Sequence, residues 1–156
     1  DNADQNLNEN FTRDKLFENV KGKRNIAITA FTDEGDIFGG FYSAAVSKQE
    51  ETSFDRNIFV FTFESHGRCK TPPKMFAVKD TKRDGAFVKV FSKGSHGWFV
   101  RFDGNGGWVL LGNPESKTAC VDLSDAFEGI LDTTLTGKTG NYNYHKCIRL
   151  VAFELE

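Results

Sequence analysis

The sequence predicts a mainly β fold (α+β): two antiparallel sheets packed as a β-sandwich, with one or two short flanking helices. Sixteen of the 156 residues are Phe and one is Met, and rigid aromatic side chains favour strands. Short apolar segments recur along the chain between turn residues, which is typical of sandwiches. Only one segment near the N-terminus has the spacing of an amphipathic helix.

That helix places Leu16, Phe17 and Val20 on one stripe. Asn10 is its candidate N-cap, and Gly22 lies just past its end, where glycine commonly terminates helices. The ten residues that precede it are polar and rich in Asn, so we expect a lead-in loop there.

Strands are expected wherever apolar residues alternate or cluster between turn residues. They cover 25–32, 37–46, 57–63, 75–79, 86–91, 98–102, 107–111, 118–122 and 147–155. The first two form a hairpin, a polar loop spans 47–55, and 123–143 holds a helical turn or irregular structure. In strand 57–63, Phe59, Phe61 and Phe63 fall on one face and Ile58 and Val60 on the other. We therefore expect this strand to be central and covered on both faces.

Composition narrows the class of protein. Residues 1–156 show no linker or break in composition, which predicts a single domain. The net charge is -2, from 20 basic and 22 acidic residues, which argues against nucleic acid and anionic membranes as partners. No apolar run approaches the roughly 20 residues of a membrane span. Cys69, Cys120 and Cys147 are too few for a disulfide scaffold, so we expect reduced thiols and a cytoplasmic location.

Histidine and cysteine occur in two patterns that suggest catalysis or metal binding. The tripeptide Ser-His-Gly appears at residues 65–67 and 95–97. Adjacent residues on a turn rarely point at one another, so hairpin-loop chemistry explains it better than a nucleophile and base. His66, Cys69, His145 and Cys147 carry zinc-binding atoms, but their spacing matches no zinc finger or ribbon. Only tertiary convergence could make them a site, and we predict no metal and no cofactor.

Other candidate sites also have simpler explanations. Asp1, Asp4, Asn6 and Asn8 resemble the start of a calcium loop but lack its Gly and closing Glu, which favours a solvated loop. The glycine-rich stretch 102–107 joins two expected strands, so a tight turn or bulge is favoured over a phosphate loop. The carboxylates Glu64, Glu154 and Glu156 lie near strand ends without a predicted partner and favour a solvated rim.

The sequence alone leaves two functional alternatives open. Cys69 is the only cysteine with basic neighbours on both sides, Arg68 and Lys70, and is the candidate reactive thiol of an enzyme, thiol-dependent or hydrolytic. Basic residues between Arg68 and Lys93 could form a patch for DNA in a stress programme. No catalytic residue is assigned.

The order of landmarks carries a family resemblance. Residues 37–41 read Ile-Phe-Gly-Gly-Phe after a strand and turn, and residues 55–61 read Asp-Arg-Asn-Ile-Phe-Val-Phe. Pro-Lys-Met-Phe at 73–76, the glycine-rich turn at 104–107, Leu-Thr-Gly-Lys at 135–138 and the terminal Phe-Glu-Leu at 153–155 follow. From about residue 12 to 156, this series resembles a TLDc domain, in the compact form found in some protists.

The resemblance implies a two-sheet β-sandwich flanked by helices, which acts in resistance to oxidative stress. It also implies a protein partner, in some members the vacuolar proton ATPase (V-ATPase). No catalytic mechanism is established for the family, so no site residue follows from it. The usual opening strand and helix are mostly absent, so either the chain begins inside the domain or its opening has diverged. The Trp-Gly near the end of many members is replaced by Glu154-Leu155-Glu156. We therefore expect a non-catalytic interaction module that binds through a sheet edge or loop surface.

Overall fold

The computed structural model describes residues 13–92, 98–112, 118–138 and 145–156, together with the backbone of residues 3–6. The helices within these ranges are α1 (Arg13–Val20), the 3-10 helix η1 (Asp80–Gly85) and α2 (Leu123–Ala126). The strands are β1 (Ala3–Asn6), β2 (Ile26–Thr32), β3 (Ile37–Tyr42), β4 (Ser53–Phe54), β5 (Phe59–Glu64), β6 (Lys74–Ala77), β7 (Phe87–Val90), β8 (Trp98–Asp103), β9 (Trp108–Gly112), β10 (Ala119–Val121) and β11 (Cys147–Glu154).

The strands form two antiparallel sheets, as predicted. The six-stranded sheet has the order β1-β11-β2-β3-β5-β6, and the five-stranded sheet has the order β10-β9-β8-β7-β4. β11, at the end of the chain, pairs with β2 near its beginning from Cys147 opposite Thr32 to Glu154 opposite Ile26. This long-range pairing closes the six-stranded sheet. None of the helices in the described ranges is both long and apolar enough to cross a membrane.

Most of the predicted elements are confirmed because their apolar periodicity matches the burial. α1 buries Leu16 and Val20, and the chain leaves the helix at Gly22, which has a positive φ of 71°. The hairpin of β2 and β3 pairs Phe31 with Ile37 across the predicted turn. Asn10, the predicted cap of α1, lies outside the described residues.

Three expectations about strands are wrong. The polar lead-in contains β1, whose backbone pairs with β11, and the polar loop 47–55 contains β4, which pairs with β7. Backbone hydrogen bonding to a neighbouring strand creates both, and neither needs apolar periodicity. β5 is second from one edge of its sheet and is not covered on both faces, because Phe63 keeps 50% of its surface exposed.

The core lies between the two sheets and extends over the buried face of α1. At its centre the rings of Tyr42 and Phe102 lie 6.3 Å apart, and neither residue is exposed. Phe102 packs directly over Gly40, where a side chain would collide with the ring. Burying one large apolar side chain stabilises the fold by roughly 1.5–3 kcal/mol. This packing makes the sandwich a rigid support for its outer surfaces.

Candidate functional site

The outward face of the six-stranded sheet carries a row of aromatic side chains. Phe59, Phe61 and Phe63 alternate along β5 and therefore share this face. The rings of Phe59 and Phe61 lie 6.3 Å apart, and those of Phe61 and Phe63 lie 5.3 Å apart. Phe41 of β3 stacks on Phe59 at 4.6 Å. Together they form a continuous aromatic ridge along one side of the sheet.

Beside this ridge runs an apolar groove with a volume of about 370 Å³. Phe153 and Leu155 of the terminal strand segment form its second wall. Its floor lies over β2 and β3, where Ala27 and Thr29 of β2 are small and Gly39 of β3 has no side chain. The remaining lining residues are Pro73, Lys74 and Met75. We refer to this feature as the apolar groove.

The apolar groove is solvent-exposed at its walls. Met75 has 67% of its surface exposed, and Leu155 has 45%. Thr29 in the floor is buried, and within the described ranges its Oγ1 has no hydrogen-bond partner. Grooves lined by exposed apolar side chains are common binding sites for ligands and partner segments. The groove is therefore the strongest candidate for a binding surface in the part of the chain that the structure describes.

A second unusual region lies at one end of the sandwich, around the turn between β2 and β3. Asp36 is buried at 1% exposure. Its Oδ1 lies 2.9 Å from His66 Nδ1 and also accepts a hydrogen bond from the Arg68 guanidinium. Arg68 is held in turn by the carbonyl oxygens of Thr134 and Leu135, at 3.1 and 3.0 Å. The buried carboxylate is therefore paired, as buried charges generally are.

His145 approaches the same turn from the other side. It is 2% exposed, and its Nδ1 lies 3.8 Å from Glu34 Oε2. Glu34 Oε1 accepts a hydrogen bond from Lys138 Nζ at 3.2 Å. Burial lowers the pKa of His145 below its ordinary value, and the nearby Lys138 lowers it further, against the opposing effect of the carboxylates. We refer to Glu34, Asp36, His66, Arg68, Lys138 and His145 as the Asp36 cluster.

The structure brings together part of the predicted zinc set. His66 and His145 both belong to the Asp36 cluster, although they are far apart in sequence. Cys69 and Cys147 belong to no group of possible metal-binding side chains in the described residues, whereas Glu34 and Asp36 join His145 in one. The carboxylates were missed because turn residues of a hairpin are ordinarily exposed, and only tertiary packing buries Asp36.

The Ser-His-Gly turn at 65–67 does not form a nucleophile and base. His66 has a positive φ of 52° and points to Asp36. Ser65 Oγ instead accepts a hydrogen bond from the backbone N–H of Cys69 at 2.8 Å. Residues 95–97, the second copy, lie outside the described residues.

All three thiols are buried and free. Burial raises the pKa of Cys120 and of Cys147 to about 12, so both are neutral near pH 7. Cys69 is 7% exposed, and the guanidinium of its neighbour Arg68 is directed to Asp36. A reactive thiol needs exposure and nearby positive charge, and Cys69 has little exposure; its reactivity stays a prediction.

The other sequence candidates have structural roles. The stretch 104–107 is a tight turn between β8 and β9, closed by a hydrogen bond from the Gly104 N–H to the Gly107 carbonyl at 2.8 Å. Glu64 accepts a hydrogen bond from the His66 N–H, and Glu154 pairs with Lys23. The structure does not describe residues 1, 8 or 93 or the side chains of residues 4 and 6.

Several basic residues suggested for a DNA patch are paired with carboxylates. Arg83 pairs with Asp80 at 3.0 Å, and Lys89 pairs with Glu50 at 3.5 Å. Arg68 is held on Asp36, as described above. These pairs neutralise part of the positive charge that phosphate would need in the described part of the 68–93 segment.

No protein-family model matches the chain, and no curated protein matches it either. The resemblance to TLDc domains therefore remains a prediction, carried by the motifs quoted above.

Proposed function

We propose that this protein is a non-catalytic interaction module whose binding surface is the apolar groove. The observation that supports this most directly is the aromatic ridge, which ends in the half-exposed Phe63, beside the exposed Met75 and Leu155. Aromatic residues and Met are enriched in protein interfaces. A rigid sheet also presents them at low entropic cost, because their backbone is already ordered.

The occupant that fits best is an amphipathic helix of a partner protein. The walls of the groove stand on β11 and β5, which are three strand spacings apart, or about 14 Å. A helix with its side chains is about 10–12 Å across, so one helix can lie along the floor of small residues. Among the described residues that line the groove, Lys74 is the one with a charge. The partner helix should therefore present an apolar face with an acidic residue on the flank that meets Lys74.

A charge-insertion pair tests the surface. Met75→Glu places a carboxylate in the groove, and Phe54→Glu places one on the opposite sheet. The two side chains are almost equally exposed, at 67% and 66%, so both variants should fold normally. A synthetic helical peptide with Leu and Phe at i, i+3, i+4 and i+7 and a flanking Glu is titrated into isotope-labelled protein.

We expect the peptide to shift the NMR signals of β5, β6 and β11 and to bind Met75→Glu at least about tenfold more weakly, while Phe54→Glu binds like the wild type. Signals confined to the backbone of β6 would indicate strand addition at the sheet edge instead. Equal weakening by both variants, or no saturable binding by the wild type, would refute the groove as the binding surface.

The finer form of the proposal follows from the TLDc resemblance. In this form, the protein acts in the response to oxidative stress, and its partner is a subunit of the vacuolar proton ATPase. The order of motifs from residue 37 to residue 155 supports it. The test is an affinity purification from the native cell, with and without peroxide, using wild type, Met75→Glu and Phe54→Glu as baits. An ATPase subunit lost only with Met75→Glu is the expected result, and its absence from all baits would reject this partner.

A further inference from the structure

The ring of His145 is a buried imidazole that makes no hydrogen bond within the part of the chain that the structure describes. It is 2% exposed, and within the described residues neither Nδ1 nor Nε2 has a hydrogen-bond partner. Buried polar side chains nearly always have a partner, and an exception calls for a specific explanation, such as an ion. The backbone of His145 is fixed, because it exchanges two hydrogen bonds with Thr118 at 2.7 and 3.3 Å. The ring is thus held where it is by the fold.

Two carboxylates face this imidazole. The ligand atoms of Glu34, Asp36 and His145 all lie within 4.8 Å of one another, and the closest approach to the ring is 3.8 Å. Around a zinc ion with bonds of about 2.1 Å, tetrahedral ligands lie about 3.4 Å apart. Glu34 is exposed on its turn, so rotation of its side chain can bring its carboxylate closer to the ring. Asp36 and His145 are both buried, and their ligand atoms, at most 4.8 Å apart, need to approach by up to about 1.4 Å to share one ion.

We propose that Glu34, Asp36 and His145 bind a divalent transition-metal ion, and that Zn²⁺ binds more tightly than Mn²⁺ or Ca²⁺. One imidazole nitrogen and two carboxylate oxygens suit first-row metals, and the Irving–Williams order places Zn²⁺ above Mn²⁺. Three protein ligands leave a coordination position for water or a partner's side chain.

The side chains around the proposed ligands affect metal binding in two ways, by competing with the metal and by orienting a ligand. Lys138 pairs with Glu34 at 3.2 Å and is 47% exposed, so it competes with the metal but can move into solvent. Arg68 and His66 both contact Oδ1 of Asp36, and a carboxylate has a second oxygen for the metal. These two residues orient the carboxylate, as partners of metal ligands commonly do.

The experiment is calorimetric titration of chelator-treated protein with ZnCl₂, MnCl₂ and CaCl₂, with imidazole NMR to locate the site. We expect one equivalent of Zn²⁺ to bind and to shift the His145 ring signals. Glu34→Gln and His145→Gln should each weaken Zn²⁺ at least about tenfold. Lys138→Gln removes the competing cation and should tighten binding about threefold, the opposite direction.

Glu154→Gln is the matched control, because Glu154 is also an exposed carboxylate paired with a lysine, Lys23, at 3.5 Å. It should bind Zn²⁺ like the wild type. Glu34→Gln keeps its fold even if His145→Gln does not, because its side chain lies on the surface of a turn. Binding that is unchanged in Glu34→Gln, weakened by Lys138→Gln, or absent below about 1 mM Zn²⁺ would overturn the proposal. So would stoichiometric binding that leaves the His145 ring signals unmoved.

Discussion

The outward faces of the two sheets are both aromatic, but cationic side chains lie over different parts of them. On the five-stranded sheet, the Arg101 guanidinium lies 4.1 Å from the ring centre of Trp108 and 5.7 Å from that of Phe87. Lys89 lies over Phe91 in the same way. On the six-stranded sheet, Arg149 lies 5.1 Å from the ring centre of Phe31, whereas the ridge rings contact one another and the groove between the walls stays open. An aromatic face is therefore a candidate interface only where charged side chains do not already cover it.

The difference originates in single residues on neighbouring strands. Arg101 follows the alternation of β8 and projects outward, and Asp103, two residues on, shares its face and holds it by a hydrogen bond of 2.8 Å. On β3 the corresponding outward position is Gly39, where a Cβ would overlap the Ile28 carbonyl oxygen and lie 2.9 Å from the Phe61 ring. Arg101 is thus fixed over the aromatics of the five-stranded sheet, whereas the floor at Gly39 has no side chain of its own and the Phe61 ring packs against it.

The largest effect is expected from filling that floor. Gly39→Ala should lower the free energy of unfolding by about 3 kcal/mol, because its Cβ forces β2 and β3 or the Phe61 ring to shift. Urea denaturation monitored by Trp fluorescence measures this. Thr29→Ala, which removes an unpartnered hydroxyl from the same floor, should change stability by less than about 0.5 kcal/mol. A Gly39→Ala variant as stable as the wild type would show that the close approach of the chain there is not required.

A smaller loss of stability is expected when the cation that lies over the aromatics of the five-stranded sheet is removed. Arg101→Leu should lower the free energy of unfolding by about 2 kcal/mol, because Asp103 is 4% exposed and loses its charged partner. It should also raise the binding of an apolar fluorescent dye, since Trp108 and Phe87 become accessible. Replacing both residues, Arg101→Leu with Asp103→Leu, should recover most of the stability while the dye binding stays high. If dye binding does not rise, the cation is not what covers this face.

The smallest effect on stability is expected on the aromatic ridge itself. Phe63→Ala should cost about 1 kcal/mol, mostly the edge-to-face contact with Phe61, because half of the side chain is already in water. Dye binding should fall, the reverse of Arg101→Leu. Urea unfolding and dye titration of the same samples measure the loss of stability and the change in dye binding. A loss well above about 2 kcal/mol would place Phe63 in the core and contradict its role as a surface wall.

Local patterns along the chain were sufficient for most of the fold. The alternation in 57–63 and in 147–155 identified β5 and β11, and the Leu16 and Val20 stripe identified α1. β1 and β4 escaped prediction because their residues are polar and their strand conformation comes from hydrogen bonds to partners distant in sequence. The prediction that both faces of β5 are covered was also wrong, because a strand with apolar residues on both faces need not have a packed layer on each.

The candidate sites were predictable only in part. The phenylalanines of β5 were visible in the sequence as a face, but the groove also needs Leu155 and Gly39, which β-pairing brings beside them. For the Asp36 cluster, the sequence indicated that His66 and His145 would need to converge. Glu34 was unforeseeable as a ligand, since nothing in a hairpin turn indicates which distant residue will pack against it.

By itself, the sequence determined the mainly β class, the position of the helix, most strand boundaries and the reduced state of three isolated cysteines. These follow from periodicity and composition, which depend on neighbours along the chain. Only the tertiary structure decided which aromatic face stays open and which imidazole is left without a partner. Both depend on contacts between strands far apart in sequence, such as β11 against β2, and on whether a charged side chain from the adjacent strand reaches the ring beside it.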